Sequence, residues 1–265
     1  MPPAIHQAFL DRALPRLQAD PRIVGVAVGG SWIDDALDEY SDLDLVIACA
    51  PSAHAAVMRD RQAIATALGP LLNAFTGDHV HEPRLLICLY EPGPLHVDLK
   101  FVAVDDLATR VEDPVVLWER DGAVRVVLAR SAACFPLPDP QWIEDRFWTW
   151  VHYGATKLGR GELFEVVDFL AAVRDMVLGP MLHLKYGQLP RGVRKLETLA
   201  APDVAALAAT VATHDAASGA AAMQATVRLY RALRDQAGAP GLIRHARAEA
   251  AAVAYLEQVI AHLAL

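Results

Sequence analysis

Residues 134–140 read CFPLPDP, with three prolines in seven positions. No helix or strand continues through that density of fixed φ angles and missing amide donors. The chain changes character on either side of this stretch. Before it, short β-branched runs are punctuated by glycine and proline. After it come long alanine-rich amphipathic runs, and alanine is the best helix former. The chain has 265 residues, 54% of them hydrophobic, which is long for one compact domain and comfortable for two. The expected class is α+β: a mixed sheet with flanking helices over residues 1–134, a linker at 135–140, and a helical bundle over 141–265.

Periodicity fills in the halves. An apolar stripe of Ile5, Phe9, Ala13, Leu14 and Leu17 predicts a helix over 4–18, stopped by Asp20-Pro21. RIVGVAVGG (22–30) and DLDLVIACA (42–50) read as strands, with a short irregular segment from Ser31 to Ala36 between them. Residues 52–69 read as a helix, capped by Ser52 and stopped by Gly69-Pro70. RLLICLYE (84–91) and LHVDLKFVAV (95–104) form an expected antiparallel pair across Pro92-Gly93-Pro94. Asp121-Gly122 suggests a hairpin joining two short strands within 115–130. Helices are expected near 141–159, 162–179, 202–214, 218–237 and 241–264.

Charge and cysteine usage narrow the function classes. With 24 basic and 32 acidic residues the net charge is −8. That argues against an extended nucleic-acid surface, which needs a basic face to neutralise phosphates. It suits a small cationic partner, or an anionic one brought in by a metal. Cys49, Cys88 and Cys134 lack zinc spacing and read as core thiols in a reducing compartment. MPPAIHQAFLDR does not have the form of a signal peptide, and no apolar run approaches the ~20 residues of a membrane span. A cytoplasmic chain without membrane contact is the expectation.

The chemistry concentrates in GGSWIDDALDEYSDLDLVIAC (29–49), which holds Asp34, Asp35, Asp38, Glu39, Asp42 and Asp44 but no Lys or Arg. In a strand, Asp42 and Asp44 point to one face and Leu43 and Leu45 to the other. Two adjacent carboxylates repel each other, and a divalent cation between them removes that cost with oxygen ligands that Mg²⁺ accepts. Asp98, in LHVDLKF, shares a face with His96 and Lys100. If its strand lies beside 42–48, three acids meet in the manner of metal-dependent phosphoryl and nucleotidyl transfer sites. Gly-Gly-Ser after a strand lets the backbone approach a phosphate, with Gly30 at the approach and the Ser31 hydroxyl as a donor to it. Taken alone, Gly-Gly-Ser or Asp-x-Asp can equally be a turn or a solvated strand end; the combination and its spacing favour the site.

Gly-Ser, ten residues (32–41), Asp-Leu-Asp-Leu and a later strand Asp resemble the polymerase-β-like nucleotidyltransferase superfamily. With the helical half added, the layout is similar to the small antibiotic nucleotidyltransferases that modify aminoglycosides or lincosamides. The resemblance implies a nucleotidyltransferase fold in the first half and Mg²⁺ as cofactor, with two ions. It also implies an NTP donor, ATP first among them, and transfer of NMP to a hydroxyl with release of pyrophosphate. By it, Gly30 and Ser31 match the donor-phosphate loop, Asp42 and Asp44 the metal pair, and Asp98 the third carboxylate. The implied acceptor is a small molecule, an antibiotic being the leading case. Protein AMPylation, toxin–antitoxin-type nucleotidyl transfer and a non-catalytic nucleotide-binding module stay open as alternatives.

The helical half adds candidates of its own. On the helix of 141–159, Arg146, Tyr153 and Lys157 fall on one face. In the resembled family a helical-domain lysine contacts phosphate, so Lys157, with Tyr153, is the candidate donor contact across a cleft between the halves; a solvated lysine is the bland alternative. Glu162, Glu165 and Asp168 are candidates for holding a cationic acceptor and for the general base, with Asp98 as the rival base. The same acids can equally be a solvated face paired with Arg174 and other cations. Trp142, Trp148, Trp150 and Tyr153 read either as core or as a wall for a ring. The scattered histidines make a zinc site unexpected. The last helices are expected to pack and, in part, to offer a homodimer surface.

Overall fold

The computed structural model describes residues 2–263; residue 264 of the expected last helix lies outside them. The chain separates into two compact units, with the boundary between Pro136 and Leu137.

The first unit is built on a six-stranded mixed sheet. In chain order its elements are α1 (Ala4–Ala19), β1 (Ile23–Val28), β2 (Leu43–Cys49), α2 (His54–Leu68), β3 (Leu71–Gly77), β4 (Glu82–Tyr90), β5 (Leu95–Ala103), β6 (Val115–Glu119) and α3 (Ala123–Leu128). The strand order is β3-β4-β5-β2-β1-β6. β2 and β5 run parallel, and the other neighbours are antiparallel. On one face Leu43, Leu45 and Ile47 of β2 and Val97, Leu99 and Phe101 of β5 join Phe9, Leu10, Ala13 and Leu17 of α1 and Val57, Ala65 and Leu68 of α2 in a single core. On the other face a smaller core of Ala48, Val102, Val104, Leu107, Val124 and Val127 lies under α3. The alternation of β2 and β5 therefore serves two cores, and at the start of both strands the second face is left to acids.

Three features of this unit depart from the sequence expectation. β3 was not foreseen: it is an edge strand in which Leu72 and Phe75 are exposed, so no buried alternation marks it. The hairpin expected around Asp121-Gly122 does not form. Both residues adopt positive φ, but the chain then enters α3. The reason is local: the Glu119 carboxylate accepts from the backbone N–H groups of Val124 and Arg125 at 2.9 Å, which satisfies orphan donors of a helix start. β6 pairs with β1 instead. Cys49 and Cys88 are buried thiols, and burial pushes them up to about 11 and about 12. Cys134 is exposed in the proline-rich segment, contrary to the expectation of three core thiols.

The second unit is helical: α4 (Pro140–Gly159), α5 (Leu163–Val173), α6 (Gly179–Lys185), α7 (Ala201–Ala208), α8 (Ala216–Ala237) and α9 (Ala246–His262). The stripe of Ile143, Phe147, Val151 and Leu158 on α4 packs with Val166 and Leu170 of α5, Met223 and Tyr230 of α8 and Leu256 of α9. Gly154 makes this closeness possible, since a Cβ there would lie 2.7 Å from the Phe169 ring and 2.8 Å from Met223. The expected helix over 162–179 runs on through a π-turn at Arg174–Leu178 into α6, while the expected helix over 202–214 ends at Ala208. Among the described residues no helix is long and apolar enough to cross a membrane.

One polar network lies inside the helical core. Glu144 is 1% exposed and accepts from Trp148 Nε1 (3.0 Å), Tyr230 OH (2.7 Å), the His245 backbone N–H (3.0 Å) and Arg234 (3.2 Å). Arg234 also reaches Glu249 at 2.9 Å. Burial alone would raise the Glu144 carboxyl, but its four donors outweigh burial and hold it below the usual carboxylate range. A depressed carboxyl stabilises the fold above its ordinary pKa, and this contribution is lost as pH falls through the lowered folded value. Removing Glu144 leaves the Trp148 and Tyr230 donors without their acceptor and Arg234 with Glu249 and Asp235 alone. Glu144→Ala is therefore expected to destabilise the helical unit by about 2–5 kcal/mol, read from urea unfolding, with the deficit shrinking as the buffer is acidified into the carboxylate range.

Candidate metal and phosphate site

The three acids singled out in the sequence converge. β2 and β5 pair in parallel with Asp44 opposite Asp98, and Asp42 sits just before β2. One carboxylate oxygen from each of Asp42, Asp44 and Asp98 lies within 4.8 Å of the others, and all three residues are half-buried. An all-oxygen set at this spacing fits a hard divalent cation such as Mg²⁺ or Mn²⁺ and not a thiophilic metal. Burial raises the Asp98 carboxyl, the neighbouring His96 opposes this with its charge and a 2.9 Å contact, and the Asp42 carboxylate raises it again. Such a position is uncomfortable for an anion alone and favourable for one that shares a cation.

The glycine loop abuts this cluster. β1 ends at Val28, Gly29 follows in extended backbone, and Gly30 adopts φ +60° at the start of a single 3-10 turn through Trp32. A Cβ on Gly30 would lie 1.9 Å from Asp44 Oδ2, so close approach as well as φ calls for glycine here. The Gly29 N–H donates to the Asp44 backbone carbonyl at 2.9 Å, tying the loop to β2. The Gly30 N–H donates to Glu112 Oε1 at 2.8 Å. The Ser31 Oγ is buried and has no hydrogen-bond partner among the described residues, which is unusual for a buried hydroxyl. A loop with a donated N–H, a buried hydroxyl and a carboxylate cluster beside it has the components of a phosphate-and-cation site.

Two contributors were not recognised in the sequence. His6 is fully buried on α1, and its Nε2 lies 2.7 Å from the Ser41 carbonyl, one residue before Asp42; it fastens the loop that delivers the first acid. Glu112 comes from the segment between β5 and β6. Both contacts bridge long sequence separations, 35 and 82 residues, and no local pattern announces them. Lys100, on the same strand face as Asp98, pairs with Glu82 at 2.8 Å.

The helical candidates form a cluster of their own. Lys157 Nζ lies 2.6 Å from Glu162 and 3.9 Å from Glu165, and 5.2 Å from the centre of the Tyr153 ring. Tyr153 OH donates to Glu165 at 2.9 Å. The Glu162 bond holds Lys157 above its ordinary value, and Lys157 holds Glu162 below its own. Asp168 is exposed on α5, and Arg146 stacks over the Trp142 ring instead of joining Lys157. Trp148 belongs to the core, whereas Trp142 is exposed and packs edge-on against Trp150.

No protein-family profile and no curated protein matches this chain. Among solved structures it is similar to an aminoglycoside 6-adenyltransferase from Bacillus subtilis, with 13% identity and a TM-score of 0.42 over 96% of this chain and 97% of that one. It is also similar to a nucleotidyltransferase-like protein from Exiguobacterium sibiricum 255-15, with 13% identity and a TM-score of 0.38 over 86% and 75%. At that level of similarity neither neighbour assigns a chemistry to this chain.

The electrostatics of the triad generate a test that needs no substrate. The folded pKa of Asp98 lies above its unfolded value, so its ionised form detracts from stability above the folded pKa, and the penalty vanishes below the unfolded one. In chelator at neutral pH, Asp98→Asn is expected to raise the melting temperature. Added Mn²⁺ or Mg²⁺ is expected to raise that of the wild type but not that of Asp98→Asn, as a thermal-shift titration would record.

Proposed function

We propose that this chain is a metal-dependent nucleotidyltransferase that moves a nucleoside monophosphate from an NTP, ATP being the leading donor, to a hydroxyl of a small molecule. The observation that carries the reading is the convergence of Asp42, Asp44 and Asp98 within 4.8 Å against a Gly30–Ser31 loop whose backbone touches Asp44. In this reading the first unit is the catalytic domain and the helical unit contributes to substrate binding.

Each residue has a task that follows from its surroundings. Asp42, Asp44 and Asp98 would hold the Mg²⁺, two ions in the fullest form of the site. When bound, Mg²⁺ supplies charge neutralisation at the phosphates and a Lewis acid at the reacting oxygens. Gly30 keeps the loop backbone close enough to meet a phosphate oxygen, and the Ser31 hydroxyl donates to another. The acceptor oxygen attacks the α-phosphorus while the bond from that phosphorus to the pyrophosphate oxygen breaks. Pyrophosphate leaves, and the acceptor proton passes to a carboxylate.

We assign that proton to Asp98, a member of the acid cluster itself, ahead of the helical acids Glu162, Glu165 and Asp168. Glu165 and the exposed Asp168 suit the recognition of a cationic acceptor, for which an aminoglycoside-like polyamine is the model compound. Lys157, with Tyr153 beside it, is committed to Glu162 at 2.6 Å and meets a phosphate only by exchanging that partner.

A panel of hydroxyl acceptors incubated with radiolabelled ATP and Mg²⁺ tests the reading. A labelled small-molecule product and released pyrophosphate are expected, and Asp42→Asn, Asp44→Asn and Asp98→Asn are each expected to lower kcat by about a hundredfold or more, since a metal's charge stabilisation amounts to several kcal/mol. Turnover that survives all three substitutions would remove the site from the mechanism. Label on protein instead of small molecule would redirect the acceptor class.

A further inference from the structure

The Gly29–Ser31 loop is already engaged by an anion from this chain. Glu112 reaches it across 82 residues to accept the Gly30 N–H at 2.8 Å, and a Cβ on Gly29 would lie 2.9 Å from the same Oε1. A carboxylate oxygen on a backbone N–H is the nearest side-chain mimic of a phosphate oxygen: it accepts the same charge-assisted hydrogen bond. The same glycine borders the acid cluster: a Cβ on Gly30 would lie 1.9 Å from Asp44 Oδ2. The Ser31 hydroxyl next to it is buried and unpartnered among the described residues, so Glu112 satisfies one of the two donors that the loop presents and leaves the other unmet. A triphosphate, with several oxygens, can satisfy both.

We propose that Glu112 occupies the donor-phosphate position of the Gly29–Ser31 loop as an internal competitor, so that an NTP binds by displacing it. The proposal rests on the nucleotidyl-transfer reading of the site. It makes Glu112 a residue that sets donor affinity. Glu112 lies in a segment without regular structure between Ala108 and Val115, where its side chain can withdraw without breaking a strand or helix. Displacement is driven by the oxygens of the donor itself, which compete with the Glu112 carboxylate for the same loop donor.

The test is calorimetric titration of the full chain with a non-hydrolysable ATP analogue in Mg²⁺, comparing wild type, Glu112→Ala and Glu112→Gln, each shown to be folded by its melting curve. Loss of one competing hydrogen bond from a charged group corresponds to a tightening of about tenfold or more. The expected order of affinity is Glu112→Ala tightest, then Glu112→Gln, which keeps an acceptor without the charge, then wild type. Wild-type binding that Glu112→Ala leaves unchanged or weakens overturns the competitor role while the transferase reading stands. Absence of binding to every form, with and without Mg²⁺, overturns both.

Discussion

The parallel register of β2 against β5 is the constraint on which the site depends. It places Asp44 opposite Asp98, and nothing about two carboxylates favours that arrangement. The cluster holds its carboxylate oxygens within 4.8 Å of one another, where two unit charges at an effective dielectric constant of about 20 repel by ~3 kcal/mol or more. What holds them together is on the other face. Leu43, Leu45, Ile47, Val97, Leu99 and Phe101 are each at most 1% exposed, and burying such a side chain contributes about 1.5–3 kcal/mol. A slip of one residue would turn the three of the slipped strand outward. The hydrophobic face therefore fixes the register, and the acids are carried into proximity by it.

The same arithmetic explains which parts of the molecule can be read from sequence. Asp42, Asp44 and Asp98 were legible because the alternation that buries leucine on one face necessarily exposes the intervening residues on the other. The helices of the second unit were legible because Ile143, Phe147, Val151 and Leu158 recur at helical spacing. β3 was not, since an edge strand with Leu72 and Phe75 facing solvent has no buried face to set a period. Asp121-Gly122 has the composition of a hairpin turn, yet the deciding interaction is a side-chain carboxylate, Glu119, meeting backbone N–H groups five and six residues on. Propensity described the turn correctly and was silent on what followed it.

The contacts that position the site lie beyond any periodic signal. His6 belongs to the α1 stripe by burial, and there it reads as one more inward residue; only the fold reveals that its ring meets the Ser41 carbonyl. Lys157 shows the converse. Its helical face was legible, but its closest partner, Glu162, comes from the turn just beyond the same helix. A lysine with a carboxylate 2.6 Å away is available to a phosphate only through exchange, and such an exchange is less favourable than meeting an uncommitted cation.

Negative charge is thus concentrated where, in the proposed reading, a negatively charged donor binds. Asp42, Asp44, Asp98 and Glu112 all oppose a triphosphate, and the chain as a whole carries −8. Without a cation, donor binding would compound a repulsion that the fold already bears at Asp98. With one, in the proposed reading, three of the four carboxylates become ligands, and the fourth yields its place on the loop to a phosphate oxygen. Cation and donor occupancy are therefore thermodynamically linked, each raising the affinity for the other by the same factor. In that reading, the acidic cluster that disfavours an anion alone selects a metal-bound nucleotide over a free phosphate.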